Sequence, residues 1–274
     1  MGKKKNRQPR HKYYYTFIVG VLLGFGLHWL PIDRDFSPAL LDSSEWQTEQ
    51  PLTESLVCPV VTPIIHRQDY SLAYDARTKN AAWVYTKFTG ERSKENLKRK
   101  DCDFREDPLI PKHLRATNRD YKESGFDRGH LSPAADASSQ ESLQETFYLS
   151  NIAPQDPQFN RGYWKKLEHY LRELTENYET LHVFVGPLYL QNLKHKGLKY
   201  VKYQVIGENQ VAVPTHFFAV VFVEDMDKKL FAKSYILPNR PIAAEIPLNQ
   251  FLSTLEKVER LSGILFSLKN SSPK

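Results

Sequence analysis

Residues 181–237 read LHVFVGPLYLQNLKHKGLKYVKYQVIGENQVAVPTHFFAVVFVEDMDKKLFAKSYIL. Four segments within this stretch are dense in Val, Ile, Tyr and Phe: LHVFVGPLYL (181–190), YQVIG (203–207), VAVPTHFFAVVFVED (211–225) and LFAKSYIL (230–237). Such residues suit a pleated, half-buried strand. Upstream, SLAY (71–74), AWVYTKF (82–88) and TFYLSNI (146–152) have the same character. Helical periodicity is confined to three places. One helix is expected from about Ser139, with Ser138 and Glu141 spaced as a capping box. A second covers about 160–176, where Tyr163, Trp164, Leu167, Tyr170, Leu171 and Leu174 form one stripe. A third covers about 248–261 and stops at Gly263. Strands with helices between, in no regular βαβ alternation, predict an α+β fold.

Composition narrows the class. The chain has 274 residues, 41% of them hydrophobic, enough for one sizeable core or at most two small ones. Its net charge of +6 resides in the N-terminus, where Lys3, Lys4, Lys5, Arg7, Arg10 and Lys12 precede any acid. Without those six, 32 basic residues face 32 acidic ones. The high pI therefore says nothing of nucleic-acid binding by the folded part, where any phosphate surface must be a local patch. Two cysteines, Cys58 and Cys102, are too few for a disulfide framework and lack zinc-ligand spacing.

Tyr13–Leu30 is an 18-residue run without Asp, Glu, Lys or Arg, carrying tyrosines and Trp29 near its ends. That meets the lower length limit for a transmembrane helix and its interfacial aromatic preference. The expected organisation is a basic tail (1–12) on the cytoplasmic or matrix side, a signal anchor (13–30), a Pro-rich linker (31–63) and a folded domain (64–268). The domain would then face the non-cytoplasmic side, in the mitochondrial intermembrane space or the bacterial periplasm.

The densest polar cluster is Gly125-Phe126-Asp127-Arg128-Gly129-His130. A histidine can take a proton from water near neutral pH. Arg128, two residues earlier on a strand, projects to the same side and can hold a phosphate. A second cluster comprises Asn151 and Asn160, with Arg161, Glu168 and Arg172 after them. Oxygen ligands suit Mg²⁺, which keeps several waters. On a regular helix Asn160 and Glu168 would lie about 12 Å apart along the axis, rotated by roughly 80°. One direct ligand and one acting through bound water is what such spacing permits. Glu168 and Arg172 are spaced to pair, as many surface ion pairs do. A serine-hydrolase triad of His130, Ser132 and Asp136 is disfavoured, because three triad residues within seven positions converge poorly and no G-x-S-x-G elbow is present.

The strings CDFRED (102–107), RATNRDY (115–121), SGFDRGHLSPAAD (124–136), TFYLSNIAPQ (146–155), FNRGYWKKLEHYLREL (159–174), GPLYL (186–190), YVKYQVIG (200–207) and VAVPTHFF (211–218) together resemble the DNA/RNA nonspecific endonucleases of the ββα-metal type, most closely their mitochondrial branch. The resemblance runs from about Tyr70 to Phe266. It implies a central antiparallel sheet flanked by helices, a ββα-metal motif, and a homodimer. It implies His130 as general base, Asn160 as the direct ligand of Mg²⁺ (or Mn²⁺) and Glu168 as a catalytic residue working through the metal's water shell. Arg128, Asn151 and Arg172 would contact substrate or steady the site, Arg128 also assisting catalysis. The substrates would be single- and double-stranded DNA and RNA, cut to 5′-phosphate ends, with the metal stabilising the scissile phosphate and the departing 3′ oxygen. Two alternatives remain open at this point: a catalytically silent nucleic-acid-binding membrane module, and a metallophosphodiesterase for small phosphoesters.

Overall fold

In the computed structural model the described residues are 64–89, 97–178, 180–191, 193–224 and 230–266. All belong to the second of two units, Cys58–Lys274. The expected tail, membrane span and linker lie outside the described residues. Among the described residues no helix is long and apolar enough to cross a membrane.

In chain order the strands are β1 (Ile64–His66), β2 (Tyr70–Asp75), β3 (Asn80–Thr89), β4 (Asp127–His130), β5 (Ile152–Gln155), β6 (Thr180–Leu188), β7 (Leu193–His195), β8 (Leu198–Tyr200), β9 (Val205–Ile206), β10 (Val211–Ala212), β11 (His216–Glu224), β12 (Leu230–Pro238) and β13 (Leu252–Ser253). Seven of them make one sheet in the order β1-β2-β3-β6-β11-β12-β13. Every neighbouring pair in it is antiparallel. The α-helices are α1 (Asn118–Tyr121), α2 (Gln140–Thr146), α3 (Lys165–Leu174) and α4 (Leu255–Ser262).

Side-chain alternation gives this sheet two apolar faces. Val183, Val185, Phe217, Ala219 and Val221 pack in one cluster with Trp164, Leu167 and Leu171 of the α3 region. Phe218, Val220 and Phe222 point the other way and pack with Val258 of α4. Each buried Phe contributes roughly 1.5–3 kcal/mol. The expected sheet with helices on both faces is therefore what forms.

Several local expectations need correction. The segment 146–152 is not a strand. Thr146 ends α2, a 3₁₀ turn covers Leu149–Asn151, and β5 starts only at Ile152. Phe147 and Leu149 are buried there outside any named strand, and Tyr148 makes only an isolated bridge to Arg105. The capping box sits one residue later than expected: Ser139 accepts from the Ser142 N–H at 3.1 Å, and Ser142 Oγ accepts from the Ser139 N–H at 3.0 Å. Ser138 Oγ instead donates to Asp69 Oδ1 at 2.6 Å. The helix expected over 160–176 begins as a π-helical turn, Phe159–Trp164, before becoming α3. The one expected over 248–261 is a 3₁₀ turn (Leu248–Phe251), then β13, then α4 capped by Thr254. Gly263 does end it, in the left-handed conformation at φ 74°.

Candidate active site

The site is built on the β4–β5 hairpin and the helix after it. The pairing runs Asp127↔Gln155, Arg128↔Pro154, Gly129↔Ala153 and His130↔Ile152. Strand alternation sends Arg128 and His130 to one side, Asp127 and Gly129 to the other. Glycine at 129 leaves room for the Gln155 side chain, which a Cβ there would displace. Trp164 Nε1 donates to the His130 carbonyl at 3.1 Å and ties the following helix to the end of β4.

The His130 ring is 8% exposed, flanked by Phe104 at 5.3 Å and edge-on to Phe147 at 4.9 Å between centroids. Burial, with the Arg99 cation adding to it, pushes its pKa down to about 3, so the imidazole is neutral at physiological pH. Among the described residues its Nε2 is buried without a hydrogen-bond partner, and no carboxylate is bonded to the ring. Ser132 Oγ instead accepts from Thr86 Oγ1 at 3.0 Å, and Asp136 is held by Arg172. A serine–histidine–aspartate triad is thereby excluded.

Asn160 lies in the π-helical turn. Its Nδ2 donates to Asp127 Oδ2 at 2.9 Å. An ionised carboxylate only accepts, so the amide nitrogen must face Asp127 and Oδ1 is turned away from it. Arg161 grips the same Asp127 with two bonds of 2.8 and 2.7 Å. Burial alone would raise the Asp127 carboxyl, but hydrogen bonds from Arg161 and Asn160 outweigh it and hold it below its ordinary value. Asn160, from the wide turn, and Glu168, from α3, line the same cavity.

Glu168 and Arg172 form one wall. Arg172 donates bidentately to Asp136, at 2.6 and 2.9 Å, and lies 3.6 Å from Glu168. Burial pushes the Glu168 carboxyl up to about 7, with Arg172 pulling only partly back. Arg128 donates to Asn118 Oδ1 at 2.9 Å and lies over the Phe104 ring at 4.3 Å.

A cavity of about 280 Å³ gathers Arg128, His130, Asn160, Glu168 and Arg172, together with Arg99 and Lys165. Through Arg128 and Asn160 it adjoins a cavity of about 480 Å³ beside Phe104 and Tyr121. Through Arg99 and Arg172 it adjoins another of about 500 Å³. Five of the six site residues expected from the sequence thus converge. Asn151 does not. It is fully buried: its Oδ1 accepts from Ser132 N at 2.8 Å, and its Nδ2 donates to the Ser132 and Thr146 carbonyls at 3.0 Å each. No atom of its amide is left for substrate; it fixes the chain leaving His130. Arg99 and Lys165 were not anticipated. Among the described residues no three His, Cys, Asp or Glu side chains form a metal cage.

The description "DNA/RNA non-specific endonuclease" belongs to the family model that matches residues 53–272. The human and bovine proteins named "Endonuclease G, mitochondrial" are each 47% identical over 209 residues, which is 76% of this chain and 70% of theirs. "Nuclease C1" of Cunninghamella echinulata var. echinulata is 41% identical over 206 residues, 74% of this chain and 81% of its own. The crystal structure of an EndoG/EndoGI inhibition complex superposes with a TM-score of 0.72 at 44% identity, covering 74% of this chain and 84% of that one.

Proposed function

The chain belongs to the DNA/RNA non-specific endonuclease family and is a nuclease, and from that premise we propose that it is a Mg²⁺-dependent endonuclease that cuts DNA and RNA alike to 5′-phosphate ends. The observation that carries this reading is the convergence of His130, Arg128, Asn160, Glu168 and Arg172 on one cavity. That cavity shares Arg128 and Asn160 with one larger cavity and Arg99 and Arg172 with another, a run of adjoining hollows suited to an extended polymer. A small phosphoester would call for a closed pocket instead.

The residues fit a divalent metal. Asn160 turns a hard amide oxygen away from Asp127, and among the described residues Glu168 is the only carboxylate lining the central cavity. Burial is what raises its pKa, against the pull of Arg172 and Arg99. Asn160 would be the direct ligand and Glu168 the outer partner; the bound ion would supply charge for the scissile phosphate and the departing 3′ oxygen.

The chain's own groups do the rest. His130, neutral in its aromatic setting, accepts the proton of the attacking water. An anionic phosphate beside it favours the imidazolium that results. Arg128, steadied by Asn118 and Phe104, orients the phosphate from the same side of β4. Arg172, locked by Asp136, and Arg99 add positive charge at the opposite wall. Asp127 keeps Asn160 in the needed orientation. Contacts made to phosphate alone give little sequence preference and a steep salt dependence.

Anchoring through residues 13–30, with the nuclease domain on the non-cytoplasmic side, and homodimer formation belong to the same proposal. Membrane pelleting before and after deletion of residues 1–32, and light scattering of the truncated protein, test them. The activity itself is tested by incubating the full chain with plasmid and with RNA, in Mg²⁺, in Mn²⁺ and in excess EDTA. Cleavage of both in either metal and of neither in EDTA is expected. Full activity in EDTA would overturn the metal assignment.

A further inference from the structure

Among the described residues four cations line the central cavity, and three are fixed by neighbours. Arg172 is clamped by Asp136, Arg128 by Asn118 and Phe104, and Arg99 lies over Phe147 at 5.8 Å. Lys165 is different. Among the described residues its ammonium has no hydrogen bond, ion pair or ring contact. Glu168, three residues on, is within reach on a helix. Yet Glu168 turns to Arg172, at 3.6 Å, and leaves the lysine alone. Lys165 follows Asn160 by one wide helical turn, so both face the same space.

We propose that Lys165 binds the phosphate next to the scissile one, so that the cavity recognises two consecutive phosphates and selects polynucleotides over isolated phosphodiesters. This rests on the nuclease reading above. An unpaired ammonium on a flexible stem is a mobile point charge suited to phosphate. Successive phosphates recur along every strand whatever the sugar or base, so the contact costs no breadth of substrate. Both flanking cavities leave the strand room to continue past it. Lys165 is a positioning residue: it fixes the register of the strand and takes part in no bond change.

The test compares the full-length wild type, Lys165→Gln and Lys165→Arg. Steady-state kinetics are measured on an oligonucleotide duplex and on bis(4-nitrophenyl) phosphate, which has a single phosphate. Duplex affinity is measured by fluorescence anisotropy in EDTA over a salt series. Lys165→Gln should raise KM for the duplex about 3- to 10-fold, as loss of one charge-assisted contact does, with kcat little altered. Selectivity for duplex over the single phosphodiester should fall by the same factor. The slope of log affinity against log salt should become shallower by about 0.9, one phosphate's worth. Lys165→Arg should restore most of both. An unchanged selectivity ratio and slope would overturn the proposal. So would parallel losses on both substrates with a lower melting temperature, which would make Lys165 a structural residue. If the wild type cut neither plasmid nor RNA in metal, the nuclease reading would fall, while the salt slope in EDTA would still decide whether Lys165 holds a phosphate.

Discussion

The 3₁₀ turn behind His130 and the π-helical turn beside it each carry an asparagine that the sequence alone presents as a site residue. Asn151, in the 3₁₀ turn, spends its whole amide on Ser132 and Thr146 backbone. Asn160, in the π-helical turn, spends only its nitrogen, on Asp127. The difference separates structure from function. A buried amide with every atom satisfied stabilises the fold and has nothing left to offer. A partly exposed amide held by one end presents the other end in a fixed direction.

The largest effects should come from the open side of this comparison. His130→Ala should lower turnover by at least ~10²-fold, as lost general-base catalysis does, with DNA affinity retained through Arg128. Single-turnover cleavage and anisotropy separate the two, and weakened affinity with unchanged cleavage would make His130 a binding residue. Asn160→Ala should cost a similar factor while shifting the melting temperature little. Asn160→Asp should not rescue it, although it supplies a better metal-binding oxygen, because its carboxylate would face Asp127 where an N–H now donates. Rescue by aspartate would show that the amide's orientation is not what matters.

The closed side should behave in the opposite way. Asn151→Ala leaves a buried N–H and two carbonyls without partners, at about 1–3 kcal/mol each. The melting temperature should drop by at least on the order of 10 °C, and the molecules that remain folded should keep near-normal affinity for DNA. An Asn151→Ala protein of wild-type stability but poor affinity would restore the substrate-binding role that its burial denies it.

How much of this was legible follows from what sequence records. Arg128 and His130 were placed together because period-two alternation on a short strand is a strong rule, and β4 obeys it. The sheet strands were legible because the apolar residues there serve both faces. Less legible was the π-helical turn, although a trace was present. Phe159 and Trp164 are both buried and five residues apart, a spacing that a regular helix turns away from one face and an i→i+5 turn restores. Gly162 between them is a further sign. Arg99 was not legible at all, since it sits in a basic run far from the motif and joins the site only through tertiary packing. The β7–β8 hairpin was missed because it alternates Lys with Leu and is exposed throughout, so burial imposes no pattern on it.

A smaller effect tests the support beneath both asparagines. Gly129→Ala would press a methyl group against the buried Gln155 side chain of the neighbouring strand β5. Overpacking of this kind costs typically 1–3 kcal/mol. Stability should fall by that amount, and kcat should fall more than KM rises, because the displaced hairpin carries His130. Wild-type melting and kinetics would mean that Gln155 moves aside freely and that the glycine is not required by contact.

The smallest expected effect is a near-cancellation between the two titratable walls of the cavity. Buried His130 has its folded pKa pushed down to about 3, against 6.5 unfolded. As pH falls below 6.5 the unfolded chain takes up a proton that the folded chain refuses, so this group removes stability. Glu168 has its folded pKa pushed up to about 7, against 4.5 unfolded. Between pH 7 and 4.5 the folded chain holds a proton that the unfolded chain has released, so acidification adds stability through this group. At full effect each contributes about 1.4 kcal/mol per pH unit, with opposite signs. Over about pH 4.5–6.5 the two should nearly cancel. Urea unfolding in EDTA across this window should therefore give nearly pH-independent contributions from the pair in the wild type. His130→Gln, relative to wild type, should gain stability on acidification, and Glu168→Gln should lose it. Identical pH profiles for all three proteins would mean that neither side chain is as desolvated as the cavity geometry requires, and the electrostatic account of the site would fail with it.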